Sequence, residues 1–172
     1  NVLQAAKEAG VKRVVSASSS SVYGAREDFP LREEMETDPL SPYAVTKLAG
    51  ENYCKVFTRL YGLETVSMRY FNVFGPRMAP NSAYAAFIAI FAAGLLEGKP
   101  LKVNGDGSTS RDWTYIDNVV DANLKAATAP GASGEAFNIA CGATLTLNDV
   151  IEELRILTGE QGDISYGPPR AG

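Results

Sequence analysis

Tyr43 and Lys47 stand four residues apart in Ser41-Pro-Tyr-Ala-Val-Thr-Lys47, downstream of the serine run Ser18-Ser-Ser-Ser-Val-Tyr-Gly24. On a helix, residues i and i+4 share a face, so this spacing sets an ammonium beside a phenol. A neighbouring positive charge favours the ionised phenol and lowers its pKa from about 10. A phenolate near neutral pH can take a proton from a sugar or alcohol hydroxyl. Serine hydroxyls at a neighbouring strand end could relay that proton. The chain has no histidine, which removes Ser-His-Asp and Cys-His catalysis and most metal designs. Taken alone, the pair also reads as an exposed tyrosine beside a solvated lysine, and its surroundings decide between the two.

Those surroundings alternate between helix and strand. Val2 to Ala9 reads as a helix stopped by Gly10, and Val11 to Ala17 as a buried strand. Ala25 to Pro39 is polar and acidic, and its Glu33, Glu34 and Glu36 read as a solvated loop. Ser41 caps the next helix with Pro42 at its first position, and Gly62 ends that helix after Tyr61. Glu64 to Tyr70 is a strand, and Phe71 to Ser82 is irregular. Ser82 to Glu97 is a helix, Pro100 to Val103 a strand, and Asn104-Gly-Asp-Gly107 a tight turn of hairpin type. Asp117 caps a helix reaching Thr128, Ala136 to Ala140 is a strand, and Thr146 with Asp149 forms a capping box for a helix to Thr158. Ile164 to Tyr166 closes the series as a short strand. Such alternation implies an α/β fold with a mainly parallel sheet. Ligands then bind at the carboxyl ends of strands, where the serine run and the segment Tyr70 to Gly75 both fall.

The bulk properties narrow the function classes. The 172 residues are 45% hydrophobic and 21% charged, with a net charge of −4 and no basic block. This argues against a nucleic-acid partner. No apolar run reaches the length of a membrane span. Cys54 and Cys141 are too few for a disulfide scaffold or a zinc site, so buried thiols in a reducing cytoplasm are expected.

Five segments in this order, Ser18-Ser-Ser-Ser-Val-Tyr-Gly24, Ser41-Pro-Tyr-Ala-Val-Thr-Lys47, Arg69-Tyr-Phe-Asn-Val-Phe-Gly-Pro-Arg77, Asn104-Gly-Asp-Gly-Ser-Thr-Ser-Arg-Asp-Trp-Thr-Tyr-Ile-Asp117 and Phe137-Asn-Ile-Ala140, resemble the extended short-chain dehydrogenase/reductases. Within that NAD-dependent epimerase/dehydratase family, the resemblance is to UDP-sugar 4-epimerases, and Pro80-Asn-Ser-Ala-Tyr-Ala-Ala86 is similar to the group acting on UDP-N-acetylhexosamines. The resemblance implies the C-terminal half of a Rossmann-like doubly wound parallel sheet plus a smaller α/β substrate-binding region. Residues 1–75 would belong to the NAD-binding domain and 76–172 mostly to the UDP-sugar region. A strand near 111–117 and the helix 117–128 are candidates to return to the main domain.

The resemblance also assigns roles. Tyr43 is the implied catalytic base, Lys47 its activator and a ligand of the nicotinamide ribose, and Ser19 the partner of the sugar 4-hydroxyl. Ala17 and Phe71 would lie against NAD. Ser20 and Ser21 would line the sugar pocket, Asn72 would contact sugar or diphosphate, and Ala85, Ala86 and Val103 would lie along the diphosphate and uracil. Arg111 and Arg170 would clamp the diphosphate through guanidinium forks, although Arg111 beside Asp112 also reads as a surface ion pair. A homodimer through the Tyr43 helix is implied as well.

The first βαβ half of the cofactor fold, with its G-x-x-G-x-x-G phosphate turn, has no counterpart in this sequence. The chain therefore reads as part of a longer protein, lacking on the order of a hundred residues, with weak or absent NAD binding and no turnover by itself. Rival readings are a nucleotide-sugar 4,6-dehydratase and a uronate 4-epimerase. The dehydratase is disfavoured because Ser20 and Ser21 stand where that group carries carboxylates, and the uronate enzyme because Asn72 stands where that group tends to carry threonine. A non-catalytic nucleotide-sugar-binding protein is the rival from another class.

Overall fold

The computed structural model describes residues 1–80 and 87–169. Contacts divide them into two units, Asn1–Phe71 with Asp117–Ala140, and Asn72–Ile116 with Cys141–Gly172.

Unit 1 is built on a parallel sheet ordered β1 (Arg13–Ser19), β2 (Glu64–Tyr70), β7 (Ala136–Ile139). Helix α1 (Val2–Glu8) precedes β1, the 3-10 turn Ser20–Tyr23 follows it, and α2 (Pro42–Tyr61) crosses back to β2. The ends of α2 are set locally. Ser41 Oγ accepts the Ala44 amide at 3.1 Å, Pro42 occupies the first turn, and Gly62 closes the helix at φ 70°, a left-handed cap that glycine adopts without a Cβ penalty.

Strand β2 is buried on both faces, and its alternation gives each face a different chemistry. Val66 and Met68 pack with Ala126 and Ala132 from helix α4 (Ile116–Ala126) and the segment after it. Thr65, Ser67 and Arg69, also buried, alternate to the other face, where Thr65 Oγ1 bonds Thr58 of α2 at 2.8 Å and Arg69 meets Glu51 of α2. Hydrogen bonds and the ion pair therefore join α2 to the sheet, while α4 packs on it through apolar burial supplemented by a Tyr70–Asn123 hydrogen bond. Arg13 bridges Glu64 and the carbonyls of Ala126 and Ala129, both at 2.8 Å, and so caps the carboxyl end of α4.

Among its described residues, unit 2 contains three two-stranded sheets. Strand β3 (Val73–Phe74) pairs in parallel with β6 (Thr114–Tyr115), β4 (Leu101–Asn104) in parallel with β9 (Ile164–Gly167), and β5 (Ser110–Asp112) antiparallel with β8 (Thr144–Thr146). Its core joins α3 (Phe87–Leu96) to α5 (Leu147–Thr158) through Phe91, Leu95, Leu101, Val103 and Ile151. At Gly94 a Cβ would run into the Leu101 side chain, so glycine lets α3 approach β4 without moving that side chain. The capping box of α5 is formed: Thr146 Oγ1 accepts the Asp149 amide at 3.0 Å and Asp149 accepts the Thr146 amide at 2.8 Å.

Three local expectations are corrected. The Asn104–Gly107 turn closes no hairpin, because β4 and β5 pair with different strands. It docks on α5 instead: Gly107, at φ 78°, accepts the Asn148 amide at 3.1 Å. The strand expected near 111–117 is two short strands, β5 and β6. Asp117 lies inside the first turn of α4 and does not precede it.

Candidate active site

In unit 1, the candidate site grows from the carboxyl end of β1. Tyr43 and Lys47 lie one turn apart on α2, with the Lys47 ammonium 5.6 Å from the centre of the Tyr43 ring. Lys47 Nζ donates to the Ala17 carbonyl at 2.9 Å. That bond uses one of its three N–H donors and pins the first turns of α2 two residues before Ser19. Tyr43 is 53% exposed, so its phenol is open to a ligand.

Ser19 caps the 3-10 turn. Its Oγ accepts both the Ser21 amide at 3.2 Å and the Ser21 hydroxyl at 3.0 Å. A hydroxyl has two lone pairs and one hydrogen, so with both lone pairs engaged Ser19 is left as a donor. Ser21 accordingly directs its amide and hydroxyl at Ser19. Ser20 is half-buried in the same turn. Ala17 is exposed and engages Lys47 through its backbone. Phe71 is 9% exposed and packs with Val22 and Tyr23.

Behind these residues runs a buried polar network that the sequence reading did not find. Glu51, 2% exposed on α2, accepts from Ser18 Oγ at 2.5 Å and from Arg69 Nε and Nη2 at 2.9 and 2.7 Å. Arg69 Nη1 donates to Tyr23 Oη at 2.8 Å, and Tyr23 donates to Asn138 Oδ1 at 2.7 Å. Burial opposes the charge on Arg69, but its hydrogen bonds to Glu51 and Tyr23 and the charge of Glu51 outweigh this and raise its pKa above the usual arginine range. The network also corrects the loop at 25–39. Glu33 is more than a solvated charge, because its Oε1 accepts the Asn138 amide at 2.9 Å and its carbonyl accepts from Arg69 at 3.3 Å. The available signal was an arginine inside a strand and a glutamate one turn beyond Lys47.

Unit 2 holds a cleft of about 710 Å³ lined by Asn104, Asp106, Arg111, Leu147 and Tyr166 among others. Arg111 is exposed, and its Nη1 donates to the Ser110 carbonyl at 2.8 Å. Asp112 does not form the alternative ion pair with it, because its carboxylate accepts the Cys141 and Gly142 amides at 2.9 and 2.7 Å. The Arg111 fork therefore lines the cleft with its charge available to an anion. Asp106, on the same cleft, accepts the hydroxyl and amide of Ser108, which hold its carboxyl below the usual range. Val103 is 1% exposed and faces the core, whereas the next residue, Asn104, lines the cleft. Asn72 sits at φ 25° and donates to the Asp112 carbonyl at 2.9 Å. Ala85, Ala86 and Arg170 lie outside the described residues. Among the described residues there is no cluster of three potential metal ligands, and no helix is long and apolar enough to cross a membrane.

Comparison with known proteins bears on this geometry. The model of the NAD dependent epimerase/dehydratase family matches residues 1–140. The chain is 38% identical over 170 residues to a UDP-glucose 4-epimerase of Mycolicibacterium smegmatis, covering 98% of this chain and 54% of that protein. It is 37% identical to a UDP-glucuronate 4-epimerase of Thermodesulfobacterium geofontis, covering 96% and 50%. Among solved structures, a UDP-N-acetylglucosamine 4-epimerase from Methanobrevibacter ruminantium, in complex with UDP-N-acetylmuramic acid, superposes with a TM-score of 0.95 at 38% identity, covering 99% of this chain and 55% of that one. The chain spans about half the length of the curated relatives it matches.

Proposed function

The chain belongs to the NAD dependent epimerase/dehydratase family, and from that premise we propose that the protein inverts C4 of a UDP-hexose, with NAD as cofactor, through a 4-keto intermediate. The observation that carries the reading is the arrangement at the end of β1: Lys47 tied to Ala17, Tyr43 one turn away and exposed, and Ser19 two residues on with its hydrogen left to donate. Tyr43 takes the proton of the sugar 4-hydroxyl. Ser19 donates to the same oxygen and orients it. Lys47 keeps its remaining donors for the phenolate and a ribose. The Arg111 fork binds the diphosphate, as its place on an open cleft favours.

The residues present suit the nicotinamide end of NAD: an exposed phenol and an ammonium at the carboxyl end of β1, where Ala17 accepts from the ammonium, and Phe71 just past the carboxyl end of β2. No G-x-x-G-x-x-G spacing for its pyrophosphate occurs in the 172 residues. When bound, NAD would supply a reversible hydride acceptor for C4 of the sugar. Turnover is therefore proposed for the polypeptide extended to its natural termini, and none for these residues alone. A homodimer and a cytoplasmic location are part of the same proposal. The dimer face would be the exposed stripe Val45, Tyr53, Val56 and Leu60 on α2.

The test supplies the extended polypeptide with NAD and, separately, UDP-glucose, UDP-N-acetylglucosamine and UDP-glucuronic acid, and resolves products by C4 configuration. The expected result is the galacto isomer of one of the two neutral sugars, with the rate lowered at least about a hundredfold in Tyr43→Phe, as removal of a general base implies. Turnover of the uronate alone would replace the hexose by a uronate, and a 4-keto-6-deoxy product would replace epimerisation by dehydration.

A further inference from the structure

We propose that Glu51 is a positioning residue for the Ser19 hydroxyl: paired with Arg69, it fastens both ends of the Ser19–Val22 segment to the helix that carries Tyr43 and Lys47. The inference rests on the reading of those three residues as the proton-transfer group.

The geometry is that of a clamp. Ser18 and Arg69 are register partners on β1 and β2, and both bond the Glu51 carboxylate. Ser18 immediately precedes Ser19. Tyr23 ends the 3-10 turn that Ser19 begins, and its hydroxyl bonds the same Arg69. The segment bearing Ser19 is thus hung at its front and its back from one ion pair. Glu51 also lies one turn beyond Lys47 and two turns beyond Tyr43, on the same face of α2. Successive turns of that helix grip successive residues of β1, Lys47 the carbonyl of Ala17 and Glu51 the hydroxyl of Ser18.

Energetics argue against a role in stability alone. Burying two charges costs most of what their attraction returns, and apolar residues of similar volume often stabilise as well. An ion pair whose side chains are 4% and 1% exposed contributes direction that apolar packing lacks. The forked guanidinium fixes the Glu51 carboxylate from one side, and that carboxylate fixes Ser18.

Two substitutions test this without breaking the pair: Ser18→Ala removes the bond to Glu51, and Tyr23→Phe removes the bond to Arg69 together with that to Asn138. In the extended polypeptide with NAD and its UDP-sugar, each is expected to lower kcat roughly tenfold, as misplacement of a reacting group does, and to leave KM within about twofold. In a Ser19→Ala background the extra loss should vanish, because the group being positioned is gone. Equal losses with and without Ser19, or an unchanged kcat, would overturn the proposal. A second measurement needs no catalysis: amide exchange of Ser21, whose N–H rests on Ser19 Oγ, should quicken roughly tenfold in Ser18→Ala, while Cys54 to Thr58 stay protected. Wild-type protein without 4-epimerase activity but with this faster exchange would sink the proposed function and keep the clamp. Active wild type with Ser21 exchange unaltered in Ser18→Ala would sink the clamp and keep the function.

Discussion

At the scale of single residues, the site separates what a spacing can announce from what it cannot. Tyr43 and Lys47 declare themselves because one helical turn joins them and the cap at Ser41 fixes where that helix starts. Glu51 follows Lys47 at the same interval, yet its partners Ser18 and Arg69 lie 33 and 18 residues away, and nothing local marks them. The same holds for Tyr23 and Asn138, 115 residues apart. Val103 shows the converse limit. The resemblance implies a ligand-facing role for it, and strand alternation sets its side chain in the core and Asn104 on the cleft. The buried pair also makes a prediction of its own. Glu51→Ala leaves the Arg69 charge buried without its carboxylate and should cost about 3–5 kcal/mol of stability, read as a lowered urea midpoint. A loss below about 1 kcal/mol would mean that Tyr23 and the Glu33 carbonyl suffice to hold the charge.

At the scale of elements, those with long periods or explicit end signals are readable, and the short ones are not. Helix α2 was bounded correctly by Ser41, Pro42 and Gly62, strand β2 by its run of β-formers, and α5 by Thr146 and Asp149. Strands β3, β6 and β8 have two or three residues each, too few for a period to show. Their pairings, and the docking of the Asn104–Gly107 turn on α5, arise from tertiary contact. The α5 cap is testable. Thr146→Ala should destabilise by about 1 kcal/mol in thermal or chemical denaturation, whereas Thr146→Ser should be near neutral. The same cap brings a pH dependence. Hydrogen bonds from the Thr146 hydroxyl and amide hold the Asp149 carboxyl below its ordinary value, so the folded form binds its proton less readily than the unfolded form. Its contribution is complete above the ordinary carboxylate pKa of about 4 and is lost as pH falls through the lower folded value. The acid-side slope of stability should therefore flatten in Asp149→Asn, and an unchanged slope would remove Asp149 from the acid response.

At the scale of the whole molecule, the α/β class and the parallel order were legible from alternation. The interleaving of the two units was only partly so, since residues 117–140 return to unit 1 after an excursion through 72–116 that no linker composition announces. The stripe Val45, Tyr53, Val56 and Leu60 gives the dimer proposal its test. Light scattering on the extended polypeptide should give twice the monomer mass, falling to one in Tyr53→Lys with Leu60→Lys, and a wild-type monomer would refute it. The two-faced β2 strand has one more consequence. Strands β1 and β2 match over seven consecutive pairs, Arg13↔Glu64 to Ser19↔Tyr70. A slip of β2 by one residue would turn Arg69 away from Glu51 and into the apolar layer of Ala126 and Ala132, stranding a guanidinium and a carboxylate on opposite sides of the sheet. Each stranded ion costs several kcal/mol, while Val66 and Met68 would turn from the apolar layer to the polar groups of α2. The ion pair thus makes misaligned sheets far more expensive than the aligned one, so the chain has a single alignment to find.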